Sequence, residues 1–448
     1  MAMNRPRYSI VVPTRQRHET LHGCLRTLVD QPSDDYEIVV ADNASSEETR
    51  AVCESFRSPK LRHVRCDEPL SMNDNWERAL DAARGEWVTF LGDDDGLMPY
   101  AVAEFDVLTS IPNVRAIRWQ YAVYTWPCMA VAAEANRLQV ARSVSTRFVG
   151  WREALTLMLK SGGSPAPMIY YGLIHRSLID EARRSGRVFD GLSPDYHSGV
   201  LFARLAERFL STDVPLSLAG LSGRSNGVAH MRAEQMASNP IAREFARLNQ
   251  RAGFTCHPDL PDCAFNSATI VGLDPLFRGR DRLFPHDPEF QLSPEEVTAI
   301  YLRALSPDPD TRAGQCARLR QFLAARAPAA DFEALLARNG GTAAPTGVIM
   351  NGGRPGITGS WEVVDTAAHG VADIHAASQL ATRLLGYKAG VIPYDLLAKK
   401  PGLLRRLHRS FTKRVRGLVG QGSHEGRPCW RSFTSATWRA ASSHPRNR

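Results

Sequence analysis

Glu86-Trp-Val-Thr-Phe-Leu-Gly-Asp-Asp-Asp-Gly-Leu-Met-Pro99 decides the reading of this chain. Trp87 to Leu91 is a run of β-branched and aromatic residues, the pattern of a buried strand. Three consecutive carboxylates, Asp93, Asp94 and Asp95, close the run, and Gly96 and Pro99 punctuate the turn beyond them. Like charges crowded at a strand's end repel one another and resist burial unless a cation or a set of donors compensates them. Hard oxygen ligands there suit Mg²⁺ or Mn²⁺, and such an ion suits a diphosphate. A solvated acidic turn accounts for the same residues, so the choice rests on the neighbouring segments.

Upstream, strand and helix signals alternate. Tyr8-Ser-Ile-Val-Val-Pro-Thr14 and Tyr36-Glu-Ile-Val-Val-Ala41 read as buried strands, and Leu61 to Arg65 as a short one. Leu21, Cys24, Leu25, Leu28 and Val29 have helical spacing. Further helices are predicted from Ser46 to Phe56 and over Asn75 to Ala83, the latter stopped by Gly85. Short links between alternating units predict an α/β fold with a mostly parallel, doubly wound sheet. In such sheets ligands sit beyond the carboxyl ends of the strands. Three strands here finish in polar groups: Pro13-Thr14-Arg15, Asp42-Asn43 and Asp93-Asp94-Asp95. Neither G-x-G-x-x-G after the first strand nor a P-loop occurs, so a nucleotide would be held by carboxylates and a divalent ion.

Downstream the pattern is mixed. Strands are predicted over Val114–Tyr124, Met168–Ile174 and Phe209–Ala219, the last with Pro215 near an edge. Helices are predicted over Trp151–Leu159, Arg176–Arg184 and Tyr196–Arg208. Residues 229–340 are helical in pattern. The stretch 341–395 opens Gly/Thr/Pro-rich and reads as linker with short helices.

The chain has 448 residues with 43% hydrophobic and 23% charged side chains, enough for a large core and more than one domain. No apolar run reaches the roughly 18 residues of a membrane span, and the N-terminus has no apolar signal-peptide segment. Eight scattered cysteines predict reduced thiols and a cytoplasmic setting. Cys256-His-Pro-Asp-Leu-Pro-Asp-Cys263 matches no common zinc spacing. The net charge of +8 belongs to the tail: residues 396–448 carry thirteen Lys/Arg against one acid, Glu425. Leu403, Leu404, Leu407, Phe411, Val415 and Leu418 stand among those bases as an amphipathic pattern. It suits an anionic membrane surface, or equally a helix packed on its own domain.

Taken in order, Ser9-Ile-Val-Val-Pro-Thr-Arg15, Ile38-Val-Val-Ala-Asp-Asn-Ala-Ser45, Asn75-Trp-Glu-Arg-Ala-Leu80 and Ala83-Arg-Gly-Glu-Trp-Val-Thr-Phe-Leu-Gly-Asp-Asp-Asp95 resemble the family 2 glycosyltransferases of GT-A fold. The resemblance is dense over residues 7–110, thinner to about 230 and absent beyond. It implies a GT-A domain over residues 1–228 that transfers a sugar, with inversion, from a UDP-linked or other nucleotide-sugar donor. It further implies that Pro13, Thr14, Arg15 and Asn43 line the nucleotide and that Asp42 accepts a hydrogen bond from the base. Asp93 would face the ribose or donor sugar, and Asp94, with Asp95 close by, would hold Mn²⁺ or Mg²⁺. The family's general base is a carboxylate opening a helix about a hundred residues further on. Asp195 in Phe189-Asp-Gly-Leu-Ser-Pro-Asp195-Tyr-His-Ser occupies that place, with Asp190 and His197 behind it. The usual Glu-Asp pair is Pro194-Asp195 here, and Ser193 or Asp195 could instead cap the helix.

Gly220-Leu-Ser-Gly-Arg-Ser-Asn-Gly227 comes after the last strand, and its small residues with Arg224 could close over a diphosphate or serve as a plain linker. The acceptor expected from the resemblance is a saccharide or lipid-linked glycan, met at the cytoplasmic face of a membrane in surface-polysaccharide or glycolipid synthesis. Two other classes compete. A nucleotidyltransferase would need a Gly-rich phosphate loop after the first strand, where Arg15-Gln-Arg-His-Glu has no glycine. A nucleic-acid binder would act through the tail, which has few interleaved aromatics and no known motif.

Overall fold

The computed structural model describes residues 5–129, 132–142, 145–161, 165–225, 240–261, 268–341 and 360–387. All lie in one compact unit, Met1–Pro401; the second unit, Gly402–Arg448, falls outside them, and with it the basic tail. Among the described residues no helix is long and apolar enough to cross a membrane. Their six cysteines are free thiols.

The strand-helix alternation is realised as β1 (Tyr8–Thr14), α1 (His18–Val29), β2 (Tyr36–Asn43), α2 (Glu47–Ser55), β3 (Leu61–Cys66), α3 (Met72–Ala82) and β4 (Trp87–Phe90). All seven residues of β1 except Pro13, and all eight of β2, are buried, as the unbroken apolar runs require. Helix α3 begins three residues before the sequence reading because Ser71 caps it, its hydroxyl accepting from the Asp74 amide. β1 pairs in parallel with β2 on one side and β4 on the other, and β2 with β3. The chain therefore leaves β1 in both directions, and the carboxyl ends of β1 and β4 meet where the strand order switches.

After β4 come β5 (Gly96–Leu97), α4 (Ala101–Thr109), β6 (Ala116–Thr125), β7 (Arg137–Arg142), β8 (Thr146–Gly150), α5 (Trp151–Ser161), β9 (Gly172–His175), α6 (Arg176–Arg183), α7 (Pro194–Ala206) and β10 (Arg208–Leu221). Here the sheet becomes mixed: β9 runs antiparallel to β4 and β6, and β10 runs parallel to β6. Pro215 lies at a register shift in the β6–β10 ladder, in the gap between the β8 and β5 pairings on the other side of β10. A bulge accommodates its missing N–H as an edge would. The described strands form one sheet in the order β11-β7-β6-β9-β4-β1-β2-β3, with β10 alongside β6. Its last member, β11 (Ser360–Asp365), pairs antiparallel with β7. Part of the stretch read as linker is thus a sheet strand.

The remaining helices are α8 (Pro240–Arg251), α9 (Ala268–Leu283), α10 (Pro294–Leu302), α11 (Pro309–Arg326), α12 (Phe332–Asn339) and α13 (Ile374–Leu385). Val297, Tyr301, Leu302, Leu319, Leu323 and Phe332 bury a core of their own, which Leu273 and Phe277 of α9 join. Another face of α9 turns Leu276 into the core that contains Val11, Val39 and Phe90 of the sheet, and Phe284 just beyond the helix joins it there. Helix α9 therefore belongs to both cores.

Candidate active site

The ends of β1 and β4 are joined by side chains. The Thr14 hydroxyl donates to Asp93 Oδ2 at 2.7 Å, and the Arg17 guanidinium donates to Oδ1 at 2.9 Å. Burial opposes the charge on Arg17, but the Asp93 and Asp94 carboxylates outweigh it and hold the guanidinium above its ordinary range.

The three aspartates are all buried, yet their partners differ sharply. Asp95 is saturated: Oδ2 accepts from the Tyr170 hydroxyl (2.6 Å), the Tyr171 hydroxyl (2.8 Å) and the Gly92 amide (2.9 Å), and Oδ1 from the Gly220 amide (2.6 Å). Consecutive strand side chains point to opposite faces. Tyr171 adopts φ +58°, and that left-handed turn brings two neighbouring phenols to one carboxylate. The Asp94 carboxylate takes one hydrogen bond, from the Ser222 hydroxyl to Oδ2 at 2.8 Å, and its Oδ1 takes none among the described residues. Burial pushes Asp94 up to about 7; Arg17 pulls the other way, and the Asp95 and Asp93 carboxylates add to the rise. The Asp94 oxygen left without a hydrogen bond is a hard ligand that fits Mn²⁺ or Mg²⁺, with the Asp93 and Asp95 carboxylates next to it already taken up by other donors.

Asp42 lies at the end of β2 with no exposed surface. Its Oδ1 accepts from the Ser45 amide at 2.8 Å and its Oδ2 from His63 Nε2 at 3.0 Å. Burial alone would raise this carboxyl, but those donors, His63 foremost, bring it below its ordinary value. Asn43 clasps Leu70 by a bond in each direction, its Nδ2 donating to the carbonyl and its Oδ1 accepting from the amide. Arg15 donates to the Asn43 carbonyl at 2.6 Å and pairs with Glu244 of α8 at 2.5 Å. Pro13 pairs with Ala41 across β1–β2. The nucleotide candidates thus share one edge of the sheet.

Asp195 stands in the first turn of α7, after Pro194 at its first position. Ser193 makes no side-chain cap bond. The Asp195 carboxyl is pushed up to about 6 by burial, which the amides of Tyr196 and Asp195 only partly counter. One short path ties this turn to β4: the Phe90 amide donates to the Ile169 carbonyl, the Ile169 amide to Ser198 Oγ, and Ser198 Oγ to the Asp195 carbonyl. Burial lowers His197 to about 4, and its Nδ1 is held by the Val188 carbonyl at 3.0 Å, a neutral core histidine. Asp190 caps the Gly191 amide at 2.7 Å and faces Arg278 at 3.6 Å.

Arg224 reaches back to the Gln16 carbonyl at 3.1 Å and to Glu19 at 3.3 Å. Beneath it, a cavity of about 480 Å³ is lined by Glu19, Thr20, Trp126, Cys128, Ser222, Gly223 and Arg224. Two lining residues bond Asp94 directly, Ser222 on the carboxylate and the Trp126 indole N–H on the carbonyl at 2.9 Å. Arg17, Tyr170, Tyr171, Ser222 and His63 escaped the reading of the sequence. Only Ser222, in a glycine-bounded loop after a strand, carried a local signal.

A second carboxylate–imidazole group, His257, Asp259 and Asp281, lies in the helical region. Arg280 already pairs with both carboxylates, at 3.3 and 2.6 Å. His257 Nδ1 accepts the Asp259 amide, which leaves the proton on Nε2 toward Asp281. That group is an ion-pair knot.

Residues 9–105 match the family model described as glycosyl transferase family 2. Over 101 residues the chain is 34% identical to the GalNAc(5)-diNAcBac-PP-undecaprenol beta-1,3-glucosyltransferase of Campylobacter jejuni, covering 22% of this chain and 33% of that protein. Over 98 residues it is 34% identical to the PGL/p-HBAD biosynthesis glycosyltransferase of Mycobacterium bovis, covering 21% and 38%. The chain thus spans about a third of the length of the curated relatives it matches. Among solved structures it is similar to Staphylococcus aureus TarS 1-349 in complex with UDP-GlcNAc, at 15% identity and a TM-score of 0.40 over 70% of this chain and 90% of that one. That overlap is loose, and the fold stands on the sheet topology itself.

Proposed function

We propose, with the family 2 glycosyltransferase segment at residues 9–105 as the premise, that this chain transfers a sugar from a nucleotide-sugar to a hydroxyl acceptor with inversion. The observation that carries the reading is the unequal treatment of three adjacent carboxylates at the switch between β1 and β4. Asp95 is spent on holding the turn, Asp93 on Thr14 and Arg17, and Asp94 keeps an oxygen in reserve.

In this reading Asp94 holds the divalent ion, with Asp95 supporting it from the turn. Bound there, the ion would offset negative charge on the donor's diphosphate. Arg224 and the small-residue loop around it take the phosphate oxygens beside the 480 Å³ cavity. Asp42, with Ser45 and His63 already oriented on it, accepts a ring N–H of the base, a donor that uracil and guanine carry and cytosine lacks, which supports a UDP- or GDP-linked donor. Pro13, Thr14, Arg15 and Asn43 border the same edge. Asp195 removes the acceptor proton, and a carboxyl near 6 is ionised at neutral pH yet basic enough for that work. Inversion results if the acceptor oxygen attacks from the face opposite the diphosphate.

The acceptor is a saccharide or lipid-linked glycan, a reading supported by the undecaprenol-linked substrate in the Campylobacter relative's name. The basic segment 396–448 would hold the chain at the inner, anionic face of a membrane. Equal sedimentation with anionic liposomes before and after its removal would discard that part.

The whole reading is tested by thermal shift with UDP- and GDP-linked sugars, with and without Mn²⁺. A rise in Tm with a UDP-sugar that depends on Mn²⁺ is expected. Absence of any shift with every nucleotide-sugar overturns it.

A further inference from the structure

The loop Asp190–Ser193 leads directly into Asp195, and side chains of α9 and α3 hold it. Asp274 of α9, which is buried, accepts the Leu192 amide on Oδ2 at 3.3 Å and the His257 amide on Oδ1 at 2.7 Å. Arg278, one turn further along α9, donates to both Asp274 oxygens at 3.0 and 3.1 Å and faces Asp190 at 3.6 Å. Arg278 also donates to the Thr255 carbonyl. From the other side Asn73 of α3 donates to the Gly191 carbonyl at 2.9 Å. Gly191 sits at φ +71°, and a Cβ there would collide with Asp274 Oδ2 and Arg278. Amide, carbonyl and carboxylate of this short loop are each tied down, and α9 itself packs on α7, where Gly279 leaves room for Val200.

We infer that Asp274 and Arg278 are positioning residues for the proposed base: the helical region sets the depth and direction of Asp195 by clamping the loop before it. This rests on the proposed function. The clamp is rigid because a buried ion pair that also takes two backbone amides cannot shift one partner without stranding another. A displacement of about 1 Å at a reacting group can cost on the order of a hundredfold in rate. The charged and titratable groups about the loop are Asp190, Asp274, Arg278, Arg282, Arg187 with its partner Asp74, Glu77, which takes the Val188 and Phe189 amides, and neutral His197. Burial is the foremost cause of the raised Asp195 carboxyl, so a loosened loop admits water and lowers it.

The test uses the full chain and release of UDP from the UDP-sugar with the largest thermal shift. Arg278→Gln should lower kcat about tenfold with donor KM within about twofold. Its acid limb should move below the wild-type midpoint near 6, and Arg278→Lys should recover part of both. Unchanged kcat and acid limb in folded Arg278→Gln, with Asp195→Asn inactive, overturn the inference while sparing the proposed function. Should Arg278→Gln fail to fold by circular dichroism, Gly191→Ala carries the same expectation and the same refutation. An active Asp195→Asn would instead refute the base assignment and take this inference with it.

Discussion

Asp94 and Asp95 are adjacent and chemically identical, and the structure assigns them opposite surroundings. Asp95 accepts four hydrogen bonds, so Asp95→Asn sets an amide N–H₂ against the donors of Tyr170, Tyr171, Gly92 or Gly220. That substitution should cost about 1–3 kcal/mol of stability, read as a lower Tm. Asp94→Asn removes a carboxylate that burial and its neighbours already disfavour as an ion. Its apo Tm should be equal to or above wild type, its Mn²⁺-dependent shift absent, and turnover reduced by a factor of hundreds. A lowered Tm in Asp94→Asn and a preserved one in Asp95→Asn would reverse the assignment. For Asp195, the base must be ionised, so kcat should fall as pH drops through about 6.

At the scale of elements, β10 does more than extend the sheet. Its antiparallel pairing with β5 carries Gly220 and Ser222 to the aspartates. A Cβ on Gly220 would strike the Asp94 carbonyl, so Gly220→Ala should lower both Tm and Mn²⁺ affinity together. Behind the same turn stands α13, whose Ile374 lies 3.0 Å from where a Gly96 Cβ would be and whose cap residue Asp373 pairs with Arg26 of α1 at 3.2 Å. A chain shortened to residue 359 loses this buttress and β11. It should unfold at a lower temperature than one shortened to residue 387, with circular dichroism as the measurement.

For the whole molecule, the raised carboxyls make a pH prediction. Asp94, folded near 7 against an ordinary 3.8, keeps its proton in the native state where the unfolded chain has lost it. The folded state then binds more protons, so this contribution to stability declines as pH rises from about 4 to 7. Asp195, near 6, acts in the same direction. His197, lowered to about 4, acts oppositely, but only below its ordinary 6.5. The apo Tm should therefore fall between pH 6.5 and 7.5, and the rise produced by Mn²⁺ should grow over the same interval because the proton and the ion compete for Asp94. A Tm that climbs with pH there, without metal, would refute the buried, under-compensated carboxylate.

The alternating strands and helices, the polar strand ends at Thr14, Asp42 and Asp93, and a carboxylate at the start of a helix were all legible in the residues, because periodicity and capping act over a few neighbours. The resemblance put the metal on Asp94 with Asp95 close by, but the residues alone offered no physical ground for telling the two apart. Their difference comes from Tyr170, Tyr171, Gly220 and Ser222, which lie 75 to 128 positions away and reach the turn only once β9 and β10 have joined the sheet. The strand at 360–365 and the clamp at Asp274 and Arg278 were invisible for the same reason: hydrogen bonds and burial between distant segments leave no mark on local spacing.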